Sequence, residues 1–203
     1  MGISKIILLE SMLLTAIAVF PSCGSDDETE SASLTEGQKT EIDTAYDYIN
    51  QIRANPSAFS EEIGDDLSYI VAKKALNWDD NLAKAAQSKA EEMANNNYFS
   101  HTDINGNGIN IRIHEAGYEI PESWYADKTL GYFENIAAGT ATGVATVKML
   151  ILDKNSEQKG HRNSLLGNGE FYEKNVDIGI GYAYNGNSTY KHYWSIIVAR
   201  HSW

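Results

Sequence analysis

The sequence is nearly devoid of cysteine and short of positive charge, and each shortage excludes a class of function. Cys23 is the single cysteine among 203 residues. One cysteine makes neither an internal disulfide nor a cysteine zinc cluster, so packing and hydrogen bonds must hold the fold, even in an oxidising compartment. Lys and Arg number 16 against 28 Asp and Glu, a net charge of -12. Such a surface repels phosphate backbones, which argues against nucleic acid as a partner. It also argues against adsorption to anionic lipid through charge. Generic catalytic signatures are missing as well: there is no Gly-x-Ser-x-Gly elbow, phosphate-binding loop, His-Glu-x-x-His pair or dinucleotide fingerprint. What is present is an ordinary globular balance, 42% hydrophobic and 22% charged, with 12 Tyr and 4 Trp to fill a core.

The N-terminus reads as a targeting segment. Lys5 precedes an apolar run from Ile6 to Phe20, followed by Pro21-Ser22-Cys23. A positive start, a short apolar stretch and a small residue before the cut are the layout of a secretory signal over residues 1–22. The run is too short for a good membrane span. Its closing cysteine resembles a bacterial lipobox, which implies lipidation at Cys23 and a membrane anchor at the outer membrane or cell surface. An ordinary cleaved signal with an incidental cysteine is the alternative. Residues 23–34, with Asp26-Asp27-Glu28, read as an acidic linker too charged and too poor in apolar groups to fold.

From residue 35 onward one domain is expected. Thr35 with Gln38 is a capping box opening a helix that carries Ile42, Ala45, Tyr46 and Ile49 and ends near Asn55, before Pro56. Asn55-Pro56 opens a short second helix ending by Gly64. Asp79 caps a long helix to about Asn96, with Leu82, Ala86, Ala90 and Met93 as its stripe, the small alanines allowing close approach of another element. A third main helix carries Ile109, Ile113 and Ala116 and stops at Gly117. Leu130 to Ala137 reads as a strand, and Thr142 caps a helix with Val144, Val147 and Ile151. The end of the chain is β: Val176, Ile178, Ile180, Tyr182 and Tyr184 alternate, Asn185-Gly186 marks a turn, and Tyr190 to Arg200 follows. The expected class is α+β, a three-layer α-β-α sandwich with a small antiparallel sheet flanked by helices.

Chemistry-bearing residues are scattered: His101, Glu134, Asp153 and His161. Spacing alone makes them weak evidence, but the surrounding segments resemble a known family. Asn50-Gln-Ile-Arg53, Leu76-Asn-Trp78-Asp79-x-x-Leu82, Phe99-Ser100-His101, Arg112-Ile-His-Glu-Ala-Gly117, Glu134-Asn135-Ile136, Gly160-His161-Arg162 and Ile178-Gly179-Ile180-Gly181 are similar, in that order, to bacterial members of the CAP superfamily. That superfamily includes cysteine-rich secretory proteins, insect venom antigens and plant pathogenesis-related proteins. The resemblance spans roughly residues 40–200 and implies a CAP domain over 35–203 with a cleft of two His and two acids. His101, Glu134 and His161 carry over directly. The fourth position is Asp153, with Glu157 as second choice. Phe133 stands where the family commonly has Gly, Leu150 replaces an aromatic, and Ser164 stands where Asn is frequent.

Two neutral imidazoles, His101 and His161, would hold zinc or another divalent metal, not required for folding, and Glu134 and Asp153 would orient them or act as a base. The leading expectation is a secreted, lipid-anchored binding module rather than an enzyme, its ligand a small hydrophobic molecule, a glycan or a protein. The alternatives are a metal-dependent hydrolase using Glu134 and Asp153, or a structural envelope-interaction module. Arg53 is expected to fix the first helix, Trp78 and Trp194 to lie in the core, and His114 to sit on a helix surface. His192 faces either solvent or a cleft wall. Asn135 holds backbone in the cleft, and Tyr182 and Tyr184 pack or line a groove.

Overall fold

The computed structural model describes residues 33–201. The expected signal, Cys23 and nearly all of the acidic linker lie outside those residues. In chain order the elements are α1 (Glu36–Ala54), α2 (Ser60–Ile63), β1 (Asn77–Trp78), α3 (Asp80–Asn95), α4 (Ile109–Glu115), β2 (Glu134–Ala138), α5 (Gly143–Leu152), α6 (Gly160–Leu166), β3 (Asp177–Tyr184) and β4 (His192–Ala199). No helix among the described residues is long and apolar enough to cross a membrane.

The helix starts follow from their caps. Thr35 accepts the Gln38 N–H at 3.2 Å while its own N–H donates to Gln38 at 2.9 Å, so the capping box closes in both directions. Asp79 accepts the Asn81 and Leu82 N–H groups, both at 2.9 Å, and Thr142 accepts from Ala145 at 3.3 Å. Pro56 starts a single 3-10 turn that runs into α2, and Gly64 ends it with φ 81°.

The sheet has the order β1-β3-β4-β2. β3 and β4 form a hairpin, and β2 pairs antiparallel with β4 on its far side. The expected antiparallel sheet holds for these three strands, but β1 pairs parallel with β3 over two residues. This short edge is the entry to α3: the Asn77 and Asp79 N–H groups donate to Val176 and Ile178 carbonyls at 2.8 and 2.9 Å. Trp78 therefore lies on an edge strand rather than in the core. It is 39% exposed, with its indole N–H on Asp80 and its ring edge against Tyr46. The strand expected at 130–137 begins only at Glu134, because the segment before it is used elsewhere. The Lys128 and Leu130 carbonyls accept the Gly108 and Asn110 N–H groups and hold the start of α4.

Side chains alternate across the sheet and bury both faces. Ile178, Ile180, Tyr182, Trp194, Ile196 and Val198 face α1, α5 and α6, with Tyr182 and Trp194 stacked at 4.2 Å. Trp194 is thus core, as expected. The opposite face carries Tyr193, Ile197 and Ala199 toward α3 and α4. Gly179 and Gly181 share that face. A Cβ at Gly179 would lie 2.1 Å from the Ala83 nitrogen, and one at Gly181 2.3 Å from the Ala86 carbonyl carbon. Glycines on the strand and alanines on the helix let the α3 backbone lie directly on the sheet. This is the α-β-α sandwich expected from the sequence.

Candidate functional site

The four residues singled out by sequence come together in two pairs. His101 follows α3 in the loop to α4, and its Nδ1 lies 3.0 Å from Glu134 Oε2 at the start of β2. The other Glu134 oxygen accepts the Ser195 hydroxyl of β4 at 2.9 Å. Glu134 is thereby held by the sheet itself, its side chain 1% exposed, while the His101 side chain is 53% exposed. A carboxylate accepts, so Nδ1 donates to Glu134 and Nε2 is the ring nitrogen not engaged by it.

The second pair is built around the end of α5. Asp153 is the C-cap of that helix, in the left-handed region at φ 43°, a conformation Asp tolerates better than most residues. One Asp153 oxygen lies 3.1 Å from His161 Nδ1, and the other accepts the His161 backbone N–H at 3.0 Å. Asp153 thus fixes both ring and main chain of the same residue. It also substitutes for an N-cap, since Lys159, at the N-cap position of α6, makes no side-chain cap bond. Glu157, the second choice for this position, is exposed and lies outside the lining of the cavity that takes Asp153.

Buried cations hold both pairs in place. Arg162, beside His161, is 2% exposed and donates to the Ile151 and Leu152 carbonyls at 2.7 and 3.1 Å, as well as to Tyr69 and Asp65. It closes the C-terminus of α5 immediately before Asp153. Lys89 of α3 is 1% exposed and donates to Tyr98 at 3.0 Å and to the Thr102 carbonyl at 3.3 Å, next to His101. Burial pulls the Lys89 ammonium below its usual range, opposed by the negative fields of Glu134 and Glu92. Lys89 was not singled out from the sequence, although a lone lysine in the stripe of Leu82, Ala85, Ala86, Ala90 and Met93 was its signal. Arg53 does fix the first helix, though through carbonyls rather than an ion pair: it donates to Lys74 and Leu165 at 3.2 and 2.8 Å. Burial lowers its guanidinium to about 10.

All four residues line one open cavity of about 230 Å³, with Tyr132, Asn135, Ser156, Ser164 and Tyr172. Asn135 is buried and donates to Ser164 and to the Ile196 carbonyl, tying β2 to α6 under the cleft. Phe133, in place of a common Gly, is buried against Trp124 and Phe171 and does not obstruct the cavity. Asp153 and His161 also line a second, apolar groove of about 490 Å³, formed by Phe99, Ile136, Ala137, Ala138, Met149, Leu150, Leu152 and Tyr190. Sequence reasoning did not find this groove, because its walls come from five separate segments.

Remaining candidates fall outside the cleft. His114 lies on the α4 surface, stacked on Tyr125 at 3.8 Å. The Tyr182 hydroxyl is 2.7 Å from His192 Nδ1, and burial lowers the His192 pKa. Tyr184 is exposed. Among the described residues no group of three or more His, Cys, Asp and Glu is clustered tightly enough to hold a metal ion. The donor set available to a metal is two imidazole Nε2 atoms, since both carboxylates already occupy Nδ1. Two imidazole donors would leave the other positions of a tetrahedral ion to water.

Comparison with known proteins agrees with the fold. The family model for the cysteine-rich secretory protein family, CAP, matches residues 46–198. No curated protein matches the chain. Among solved structures, an outer surface protein from Borrelia burgdorferi is similar at 18% identity and TM-score 0.53, covering 81% of this chain and 96% of that one. An extracellular protein from Bacillus anthracis containing an SCP domain aligns at 22% identity and TM-score 0.47, covering 84% of this chain and 45% of its own. Venom allergen-like protein 4 of Schistosoma mansoni aligns at 16% identity and TM-score 0.42, covering 82% and 90%.

Proposed function

Since the chain belongs to the cysteine-rich secretory protein (CAP) family, we propose that it is a secreted binding domain, anchored at the cell surface through a lipid on Cys23, whose cleft holds a ligand without turning it over. The supporting observation is the joining of two unlike cavities at one pair of residues. Asp153 and His161 line both the polar cavity with its two imidazoles and the apolar groove. A polar group of a ligand would meet the imidazoles while its apolar part lies against Phe99, Met149 and Tyr190, which are all exposed. Surface location is supported by the signal-like N-terminus and by the similar Borrelia protein, itself described as an outer surface protein.

A divalent ion such as zinc would be held by His101 and His161 and would supply Lewis acidity at the polar end. The chain's own residues do the rest. Glu134 and Asp153 fix the ring orientations, Lys89 and Arg162 hold the segments that carry them, and Asn135 closes the floor. A hydrolase built on the same cleft is the competing reading.

Native mass spectrometry of the protein purified from its own cells tests the proposal. A retained organic mass is expected, lost in Met149→Glu, which places a charge in the apolar groove. A divalent metal mass is expected to disappear in His101→Ala/His161→Ala. Turnover of ester or peptide substrates that vanishes in Glu134→Gln would overturn the binding reading in favour of the hydrolase. Labelled-lipid incorporation is expected in the wild type and absent in Cys23→Ala; equal labelling of both would remove the anchor.

A further inference from the structure

The floor of the cleft is an open strand edge. In the ladder between β2 and β4, the Val198 N–H donates to the Phe133 carbonyl and the Gly139 N–H to that of His192. With the register Glu134↔Ile197 to Ala138↔Tyr193, Asn135 and Ala137 therefore face β4. By the alternation of an antiparallel pair, the N–H and C=O groups of Glu134, Ile136 and Ala138 point the other way. No backbone or side-chain group among the described residues bonds to them.

The opposite edge of the sheet is treated differently. There the Ile178 carbonyl takes the Asp79 N–H, and the Tyr182 N–H and C=O are occupied by the side chains of Gln87 and Gln38, at 2.9, 3.2 and 3.4 Å. An exposed strand edge is a template for another strand unless it is covered. The opposite edge is covered in part, at Ile178 and Tyr182, whereas none of the outward groups of Glu134, Ile136 and Ala138 on the cleft side has a partner among the described residues.

The apolar groove lies over this open edge. Ile136 points to the α3 face and Ala137 to the α5 face, yet both line it. Its walls come from both sides of the sheet: Phe99 and Tyr190, whose rings lie 5.8 Å apart, and Met149 and Leu152 of α5. An added strand would lay its alternate side chains on these two apolar walls. The five residues of β2 give an edge of roughly 17 Å at about 3.4 Å per residue, long enough for a peptide of about five residues. A net charge of -12 disfavours an acidic partner.

We infer that the cleft receives an extended, apolar, non-acidic peptide segment of a partner protein, which pairs with Glu134, Ile136 and Ala138 as a fifth strand. This inference rests on the cleft-binding reading and names its ligand class. Main-chain pairing would supply affinity, and the two apolar walls would select side chains. The peptide backbone would then pass beside Glu134, whose carboxylate holds the His101 ring.

The test selects a random seven-residue peptide library, displayed on phage, against the full protein, with Ala138→Pro as the counter-target. Proline removes one outward N–H, a change that edge strands tolerate. The enriched peptide is then synthesised with N-methyl groups on one or the other set of alternate amides. Methylation of one set is expected to weaken binding at least about tenfold and of the other less than about threefold, because only one side of the peptide faces β2. Phe99→Ala/Tyr190→Ala is expected to bind several-fold more weakly. Equal effects of the two methylation patterns, or no peptide enriched over the proline variant, would overturn the inference. A wild-type dimer that Ala138→Pro dissociates would assign the edge to a second copy instead. If no peptide is enriched while the organic mass lost in Met149→Glu persists in the wild type, the cleft reading stands and the peptide alone falls. If neither is found, both fall.

Discussion

Gly181→Val is expected to leave the protein unfolded at room temperature, and Gly181→Ala to cost about 3 kcal/mol, near the upper end for overpacking a close-packed core. A Cβ at this position meets the Ala86 carbonyl carbon at 2.3 Å, whereas non-bonded carbons rest at about 3.5–4.0 Å. The obstructing atom is helix backbone, which cannot rotate aside as a side chain would. Relief requires α3 to move off the sheet, and Leu82, Ala86 and Ala90 would lose their burial together. An opposing effect exists: removing a glycine stiffens the unfolded chain and contributes up to about 1 kcal/mol in favour of folding. The clash outweighs that gain, so the sign is destabilising. Gly160→Ala provides the control, since nothing lies within 4 Å of its added Cβ and its φ is not positive. It is expected to be neutral or slightly stabilising, within about 1 kcal/mol. Urea denaturation followed by circular dichroism measures all three. A cost below about 1 kcal/mol for Gly181→Ala would mean that α3 is not seated on the sheet as described.

This contact also bears on the cleft, because α3 carries Lys89. Its ammonium holds the Thr102 carbonyl beside His101. The same helix that requires glycines on β3 therefore fixes the loop bearing one imidazole, so packing and site geometry are coupled through one rigid element.

The parts of this fold that were legible in the sequence are those set by local rules. Thr35, Asp79 and Thr142 cap their helices because a side-chain oxygen two or three residues from an N–H needs no distant partner. The period of two in Ile178, Ile180 and Tyr182 follows from the pleat, and their burial on one face follows with it. What was not legible depends on distant pairing. The late start of β2 reflects bonds from Lys128 and Leu130 to the start of α4, and Trp78 is exposed because its strand is a two-residue edge. The four cleft residues were named through family resemblance, not spacing, because 33 positions separate His101 from Glu134 and no periodic pattern links them. Their pairing, each imidazole with its own carboxylate, had no sequence signal. Nor did the open edge of β2, since a strand's neighbours are fixed only when the sheet is assembled.

Arg162→Met is expected to cost about 3–5 kcal/mol, the range for breaking a buried charged network. Two effects are available to explain such a loss, and their sizes differ. The ion pair with Asp65 involves a carboxylate 40% exposed, so Asp65→Asn is expected to cost only about 1 kcal/mol or less. The bonds to the Ile151 and Leu152 carbonyls close the last turn of α5; without Arg162 the Ile151 carbonyl loses its donor and that of Leu152 keeps only Lys159, at 3.4 Å. Capping therefore outweighs the ion pair. Lysine keeps the charge but lacks the planar fork that spans both carbonyls, so Arg162→Lys should fold with a partial loss of about 2 kcal/mol. That variant separates stability from site geometry. With the α5 terminus loosened, Asp153 no longer grips both the amide and the ring of His161. Nitrogen–proton correlation spectra are expected to show His161 protonated at Nδ1 in the wild type and as a mixture of tautomers in Arg162→Lys. An unchanged His161 tautomer alongside lowered stability would make Arg162 a purely structural residue. A changed tautomer would make it a positioning residue for the cleft, which is the role its bonds immediately before Asp153 predict.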